Sequence, residues 1–388
     1  MIRIITILLL ISACKVMFSQ MVLTEQQVID SILNKNFAIL NASLKFESQK
    51  SLQKTAWNIS DPEVYVVQDP FESLILTIDQ NFDFPTQYIK QSQLNREKIT
   101  LTGKEFAQTK NEIRKNIRLL YLQAQYVSAK LNYFQKQDSA FQKIKDASVR
   151  SFNAGNLNYL EKISAETKSG EVKLQYEITK NELLILHQQI SILTGIENKF
   201  VVAKIEKLAT PNVSIDILTN PAYAVAQQNI NVSRKQYEAI RSQALPDILL
   251  GYSIPLEEEA VYFPAFKAGI SIPLWFNSYS GYNSAAKNEI IIAENNLRAE
   301  EQSLQQQKFT AISNFFKNKL AIRYYETEGS NNANEITKSA TRLYETGEID
   351  LINFLRTLND GFEIQLNYLE ALLNYNISVI EIDYLNGN

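Results

Sequence analysis

Arg150-Ser151-Phe152-Asn153-Ala154-Gly155-Asn156-Leu157 and Arg342-Leu343-Tyr344-Glu345-Thr346-Gly347-Glu348-Ile349 are one turn written twice. Each sets an Arg, an aromatic and a Gly at the same spacing, with an apolar residue two places after the Gly. The offset that aligns them also pairs Leu160 with Ile352, Ile163 with Leu355, Leu174 with Leu366 and Tyr176 with Tyr368. It runs on without a gap to Leu193-Thr194-Gly195 against Leu385-Asn386-Gly387. A self-match of this extent marks an internal duplication. Upstream, at a slightly smaller offset, Asn36 pairs with Asn220, Ala38 with Ala222, Pro62 with Pro246 and Phe84-Pro85 with Ile272-Pro273. The drift places small insertions near the presumed strands.

Each half reads as helix, strand pair, very long helix, Gly turn and return helix. In the first, helix is expected from Thr24, a plausible N-cap, to about Trp57. Extended segments follow at 63–68 and 74–82, the second alternating Leu74, Leu76, Ile78, Gln80 and Phe82 on one face. Helix then runs from Thr86 to Arg150 with Gly103 as its only glycine, and resumes after Gly155 as far as Gly195. In the second half, Pro221, suited to a first helical position, opens a helix to about Ala244. Strands at 247–254 and 266–274 precede helix from Ser280 to Tyr344, the turn at Gly347 and a return to Leu385. A helix of about 65 residues is roughly 95–100 Å long, too long for a compact globular domain. The pattern therefore predicts a mainly α chain with a small β part, built as two long antiparallel helical hairpins plus four strands. Phe362, Leu366, Leu369, Leu373, Ile377 and Ile380 recur at coiled-coil spacing; Leu174, Ile178 and Ile185 repeat it more weakly, with polar Asn181 between them.

The expected organisation is a leader over 1–19, a first repeat over 20–195, a connecting segment over 196–220 and a second repeat over 221–388. Arg3 followed by an apolar run from Ile4 to Ala13 reads as a secretory signal, too short to span a bilayer as a mature helix. Cys14, the only cysteine, rules out an intramolecular disulfide. It closes Ile11-Ser12-Ala13-Cys14, a lipobox-like string in which it would be acylated; the alternative is cleavage between Ser19 and Gln20. The net charge of −3, with both signs scattered, gives no sign of a nucleic-acid-binding surface. Beyond the leader no apolar stretch approaches the roughly 20 residues of a transmembrane helix, so any contact with a membrane falls to strands or to a lipid.

The strands 74–82 and 266–274 have the length of tilted membrane strands. Aromatics cluster around them: Tyr65, Phe71, Phe82, Phe84 and Tyr88 in one half, with Tyr252, Tyr262, Phe263, Phe266, Trp275 and Phe276 in the other. Such clusters suit the aromatic girdles of a membrane barrel. Four strands cannot close a barrel, and open edges in lipid leave backbone groups unpaired at several kcal/mol each, so strands must come from several chains.

The twice-repeated Arg-x-Phe/Tyr-x-x-Gly turn, with apolar residues two and five places after each Gly, resembles the signature of the TolC-like outer membrane efflux proteins. So do Gly269-Ile270-Ser271-Ile272-Pro273-Leu274, a strand ending in a proline elbow before a long helix, and the opening Thr24-Glu25-Gln26-Gln27-Val28-Ile29. The resemblance covers nearly the whole chain after the leader. It implies a homotrimer in the bacterial outer membrane, with a 12-stranded barrel and an α-helical tunnel across the periplasm. It further implies a passive conduit whose Gly turns meet a periplasmic adaptor protein linked to an inner-membrane efflux pump. Carried over position by position, the adaptor contacts are Arg150, Phe152, Gly155, Asn156 and Leu157, with Arg342, Tyr344, Gly347, Glu348 and Ile349. Some members of that family carry aspartates six and nine residues after the second Gly; here those positions are Asn353 and Arg356. Asp350, Asn353 and Arg356 are therefore the gate candidates, with Asp350 or Glu348 as possible partners neutralising Arg356.

Catalytic and metal constellations are not found. His187 is the only histidine and sits on a helix among Leu186, Gln188 and Gln189, and the few methionines are isolated. Glu257-Glu258-Glu259 falls between two strands and reads as a solvated loop. The expectation is a protein with no enzymatic activity and no cofactor. The alternative from another class is a periplasmic coiled-coil adaptor or scaffold, which usually has one hairpin flanked by β-rich domains.

Overall fold

A computed structural model describes residues 21–68, 74–197, 200–256, 264–274 and 276–387. The leader with Cys14, the Glu257-Glu258-Glu259 run and the aromatics Phe71, Tyr262, Phe263 and Trp275 lie outside these residues. In chain order the main elements are β1 (Met21–Leu23), α1 (Glu25–Lys35), α2 (Phe37–Leu52), β2 (Glu63–Gln68), β3 (Leu74–Phe82), α3 (Pro85–Asn153) and α4 (Tyr159–Thr194). Next come β4 (Phe200–Val202), α5 (Pro221–Ser242), β5 (Asp247–Pro255), β6 (Ala265–Ser271), α6 (Phe276–Tyr324), α7 (Ser330–Glu345) and α8 (Leu351–Leu385). They assort into two compact units. One gathers the chain up to Lys35, Arg114–Thr210 and Asn314–Ile380; the other gathers Asn36–Ile113, Pro211–Ser313 and the chain from Glu381.

The first unit is a helical bundle. Phe141 of α3, Ala165 and Val172 of α4, Ala340 of α7 and Leu351, Phe354, Leu355 and Leu358 of α8 form one buried cluster. Short parallel strands β1 and β4 pair beside it. Tyr121, fully buried, donates its hydroxyl to the Leu23 carbonyl at 2.6 Å and accepts the Ala203 amide at 3.1 Å, so one side chain holds both strand ends. The buried amide of Asn376 does the same for the following segment, donating to Glu206 O at 2.8 Å and accepting from Leu208 N at 2.9 Å. Within 196–220, expected as a connector, Phe200–Val202 is thus a strand and 206–208 a strap fixed to the bundle. A three-residue strand is too short to carry a periodic signal.

Three further boundaries differ from expectation. The first helix is broken at Asn36, whose side chain accepts from Ala38 N at 2.8 Å and caps α2; Asn220 caps α5 in the same way through Ala222 N at 2.9 Å. The helix expected from Ser280 to Tyr344 is interrupted by a π-helical turn at Tyr325–Gly329. Glu326, within that turn, is held by Lys207 of the strap at 2.6 Å. Finally, β6 ends at Ser271, short of Leu274. Ser271 pairs with Asp247, and the ladder stops there because Pro246 and Pro273 have no N–H to extend it.

The second unit carries a four-stranded antiparallel sheet in the order β2-β3-β5-β6. Helices α2 and α5 and parts of α3 and α6 accompany it. Lys90 on α3 pairs with Glu238 on α5 at 2.8 Å, and Trp57 stacks on Tyr88 with ring centroids 5.4 Å apart. Tyr88 is buried there, so it belongs to the helix packing below the sheet and not to an interfacial girdle. Among the described residues no helix is long and apolar enough to cross a membrane.

Candidate functional site

The two Gly turns are built alike. Helix α3 ends with Gly155 at φ 79° and α7 is followed by Gly347 at φ 75°, the left-handed region in which a side chain is strained. At the first turn Gly155 N donates to Phe152 O and Asn156 N donates to Ser151 O, each at 2.9 Å. At the second, Gly347 N donates to Tyr344 O at 3.1 Å and Glu348 N to Leu343 O at 2.9 Å. Both are Schellman ends, which satisfy carbonyls left over by the helix. The next helix is then capped at once. Asn158 accepts from Glu161 N at 2.9 Å while Glu161 accepts from Asn158 N at 2.9 Å, and Asp350 accepts from Asn353 N at 2.8 Å.

This geometry sorts the residues expected at the tips. Leu157, Tyr344 and Ile349 pack against the bundle cluster. Tyr344 stacks on Phe354 at 4.6 Å, nearly parallel, and burial, with Glu161 nearby, raises its hydroxyl above the usual tyrosine range. Phe152 is half-buried, edge-on to Tyr159 at 6.2 Å and covered by Lys162 at 5.2 Å. These aromatics shape the turns. Arg150, Gly155, Asn156, Arg342, Gly347 and Glu348 face solvent. So do Tyr159 and Leu160, at 64% and 61% exposure, and, less fully, Ile163 and Ile352. Sequence reasoning missed Tyr159 altogether and counted Leu160 and Ile352 as repeat partners and as part of the turn signature, not among the contact residues. The signal for these was present, since Leu160 and Ile352 are the fifth residues after each Gly.

At the gate positions, Asp350 serves as the cap of α8 and Glu348 accepts from Thr346 Oγ1 at 2.9 Å. Neither pairs with Arg356, which is exposed and has no ion pair among the described residues. Asn353 is exposed as well. The neutralising bridge expected for Arg356 is therefore not made within one chain, because both nearby carboxylates are taken up by the turn itself.

The sheet has two unlike faces. Side chains alternate along each strand, and the register carries the alternation across the sheet. One face holds Val64 and Val66, Leu74, Leu76, Ile78 and Phe82, Ile248, Leu250, Tyr252 and Ile254, and Phe266, Ala268 and Ile270. Gln68 and Gln80 are its only polar members among the described strand residues, and it bears no charge. Phe266 on it is 90% exposed in the single chain. The other face holds Glu63, Tyr65, Thr77, Asp79, Asn81, Asp247, Ser253, Lys267 and Ser271, with Val67, Ile75 and Leu249 among them. Tyr65 points to this polar side, donating to Asp79 Oδ2 at 2.8 Å, so it is no part of an outer girdle. Both outer strands, β2 and β6, leave one edge unpaired. Among the described residues no group of three His, Cys, Asp or Glu side chains could hold a metal ion.

No protein-family model and no curated protein matches the sequence. Solved structures do match in fold. A membrane protein from Pseudomonas aeruginosa superposes with a TM-score of 0.80 at 12% identity, over 95% of this chain and 92% of that one. VceC, an outer membrane protein of Vibrio cholerae, gives 0.75 at 14%, over 93% and 94%. The MtrE outer membrane channel of Neisseria gonorrhoeae, in its open state, gives 0.76 at 14%, over 94% and 89%. At these identities the likeness is one of fold, and the fold is that of TolC-like outer-membrane channels.

Proposed function

We propose that this chain, having the fold of outer-membrane channels, is one protomer of a homotrimeric export conduit in a bacterial outer membrane. It works passively, docked to a periplasmic adaptor and an inner-membrane pump, with no catalytic step of its own. The observation that carries this reading is the two-faced sheet with open edges. An uncharged apolar face backed by a polar one is the pattern of a barrel wall between lipid and a wet lumen. Its free edges have to be paired by other copies, since unpaired backbone in hydrocarbon costs several kcal/mol per group. All strands alternate in direction, so β6 of one copy meets β2 of the next antiparallel, and three copies give twelve strands.

The helical unit supports association of copies independently. Leu174, Ile178, Ile185 and Ile192 form an exposed apolar row on α4, and Phe316, Leu320 and Tyr324 form another on α6. Two different rows that cover each other between neighbours make a heterologous contact, which closes into a ring when the rotation permits. A monomeric scaffold or adaptor would leave both rows and the sheet's apolar face in water.

At the turns, Arg150, Asn156, Arg342 and Glu348, with the exposed Leu160 and Ile352, offer the adaptor contact, while Phe152, Leu157, Tyr344 and Ile349 hold the shape beneath. Asn353 and Arg356 supply the gate, and it is cationic where an acidic ring would otherwise sit. On the repeat bounds 20–195 and 221–388, the Gly turn occurs twice per chain and the gate pair once, in the second repeat. Residues 1–19 direct secretion, with Cys14 either acylated or removed.

Membrane fractionation tests the reading. The protein should stay in the outer membrane through salt and carbonate washes and run in detergent as a heat-modifiable trimer. Release by carbonate, with only monomer before heating, would contradict it.

A further inference from the structure

The polar face of the sheet carries a charge pair spanning three strands. Glu63 on β2, Asp79 on β3, Gly251 on β5 and Lys267 on β6 lie in one register row. Lys267 reaches across the intervening strand to Asp79 Oδ2 at 2.6 Å, and the same oxygen accepts from Tyr65 on β2 at 2.8 Å. Three strands, β2, β3 and β6, are thus tied across β5. The crossing depends on Gly251: a Cβ there would lie 2.2 Å from Asp79 Oδ1 and 2.8 Å from Lys267 Cε. Asp79 is only 7% exposed, yet its Oδ1 has no hydrogen-bond partner. Thr77 and Ser253, 3.3 Å apart through their hydroxyls, continue the polar surface next to it.

We infer that Asp79 and Lys267 form a lumenal charge belt that determines the ion preference of the barrel, an inference resting on the barrel proposed above. A charged lysine on the lipid side of a barrel is most disfavoured near the bilayer midplane, whereas the opposite face of this sheet carries no charge among the described strand residues. The pair therefore faces water. Three copies set three such pairs around the lumen. For twelve strands about 4.8 Å apart and tilted by roughly 40°, the backbone radius is about 12 Å. The Debye length is about 10 Å at 0.1 M salt and about 30 Å at 0.01 M. In dilute salt the field of the belt consequently fills the cross-section. With both partners present the pair itself sums to zero, and Glu63 in the same row leaves the belt one negative charge per chain. Removal of Lys267 leaves two negative charges per chain in the row, whereas removal of Asp79 leaves Glu63 and Lys267 in balance.

Reversal potentials of single channels of the full chain in lipid bilayers, under a potassium chloride gradient near 0.01 M, read this directly. Lys267→Gln leaves the Asp79 and Glu63 carboxylates unbalanced and should raise the potassium-to-chloride permeability ratio by about two-fold or more, whereas Asp79→Asn should lower it by a similar factor. Both shifts should vanish near 1 M salt, where the Debye length is about 3 Å. Unchanged ratios in both variants, or shifts of the same sign, overturn the inference while leaving the conduit reading intact. A wild-type protein that forms no channel overturns the conduit reading, and the inference with it. Should the single variants not assemble, Ser253→Cys keeps both charges and side-chain size. Its labelling by a water-soluble cationic thiol reagent should shift the ratio toward chloride. Failure to label, or labelling without a shift, overturns the inference equally.

Discussion

Phe354 lies flat on Tyr344 at the second turn, within the cluster that also takes in Phe141 and Val172. Phe354→Ala removes a buried ring and should cost roughly 3–5 kcal/mol, read as a lowered thermal midpoint in detergent. Gly347 makes a different demand. A proline there is fixed near φ −65° and cannot supply the amide that Gly347 gives to Tyr344 O. Gly347→Pro should therefore impair export, measured as intracellular accumulation of a transported dye, while the trimer band in detergent persists. His187 is half-buried against Phe200, and burial lowers its imidazole below the usual range. The unfolded chain then binds a proton at a pH where the folded chain does not. Stability accordingly rises with pH over that interval, and is lost as pH falls below the unfolded value of about 6.5. The thermal midpoint of the wild type should drop from about pH 7.5 to about pH 5.5 by more than that of His187→Gln; equal drops in both would locate the acid sensitivity elsewhere.

At the scale of elements, the register of the sheet hangs on Gly251, because no side chain fits between Asp79 and Lys267. Gly251→Val should greatly reduce the yield of heat-modifiable trimer, and a normal yield would show that Lys267 does not cross β5. The strands β2 and β3 and the long helices were legible in the sequence, because alternation and the scarcity of Gly and Pro act over many residues. The Schellman ends were legible through the repeated Gly. What stayed hidden depends on contacts distant in sequence. The pairing of β1 with β4 rests on Tyr121, and the strap over 206–208 rests on Asn376; neither residue differs in local pattern from its neighbours. The π-helical turn at Tyr325–Gly329 is likewise silent in periodicity. Tyr65 and Tyr88 were counted with the girdle aromatics because composition reports a cluster without the face each member takes. Register decided that for Tyr65, and helix packing for Tyr88.

For the whole molecule, the sheet and the helical unit each present apolar surface that a single chain leaves uncovered, on Phe266 and Ile270 in one and on Leu184, Ile185 and Ile192 in the other. In the proposed ring, copies of the same chain cover the row on the helical unit, and lipid covers the apolar face of the sheet. The most direct measurement of this claim is a single-particle reconstruction of the full chain extracted from outer membranes in detergent. The account predicts three copies enclosing one ring of twelve strands, with Asp79 and Lys267 lining the interior and Phe266 on the outer surface. A particle of one or two copies, or a ring with Phe266 inside and Lys267 outside, would contradict it.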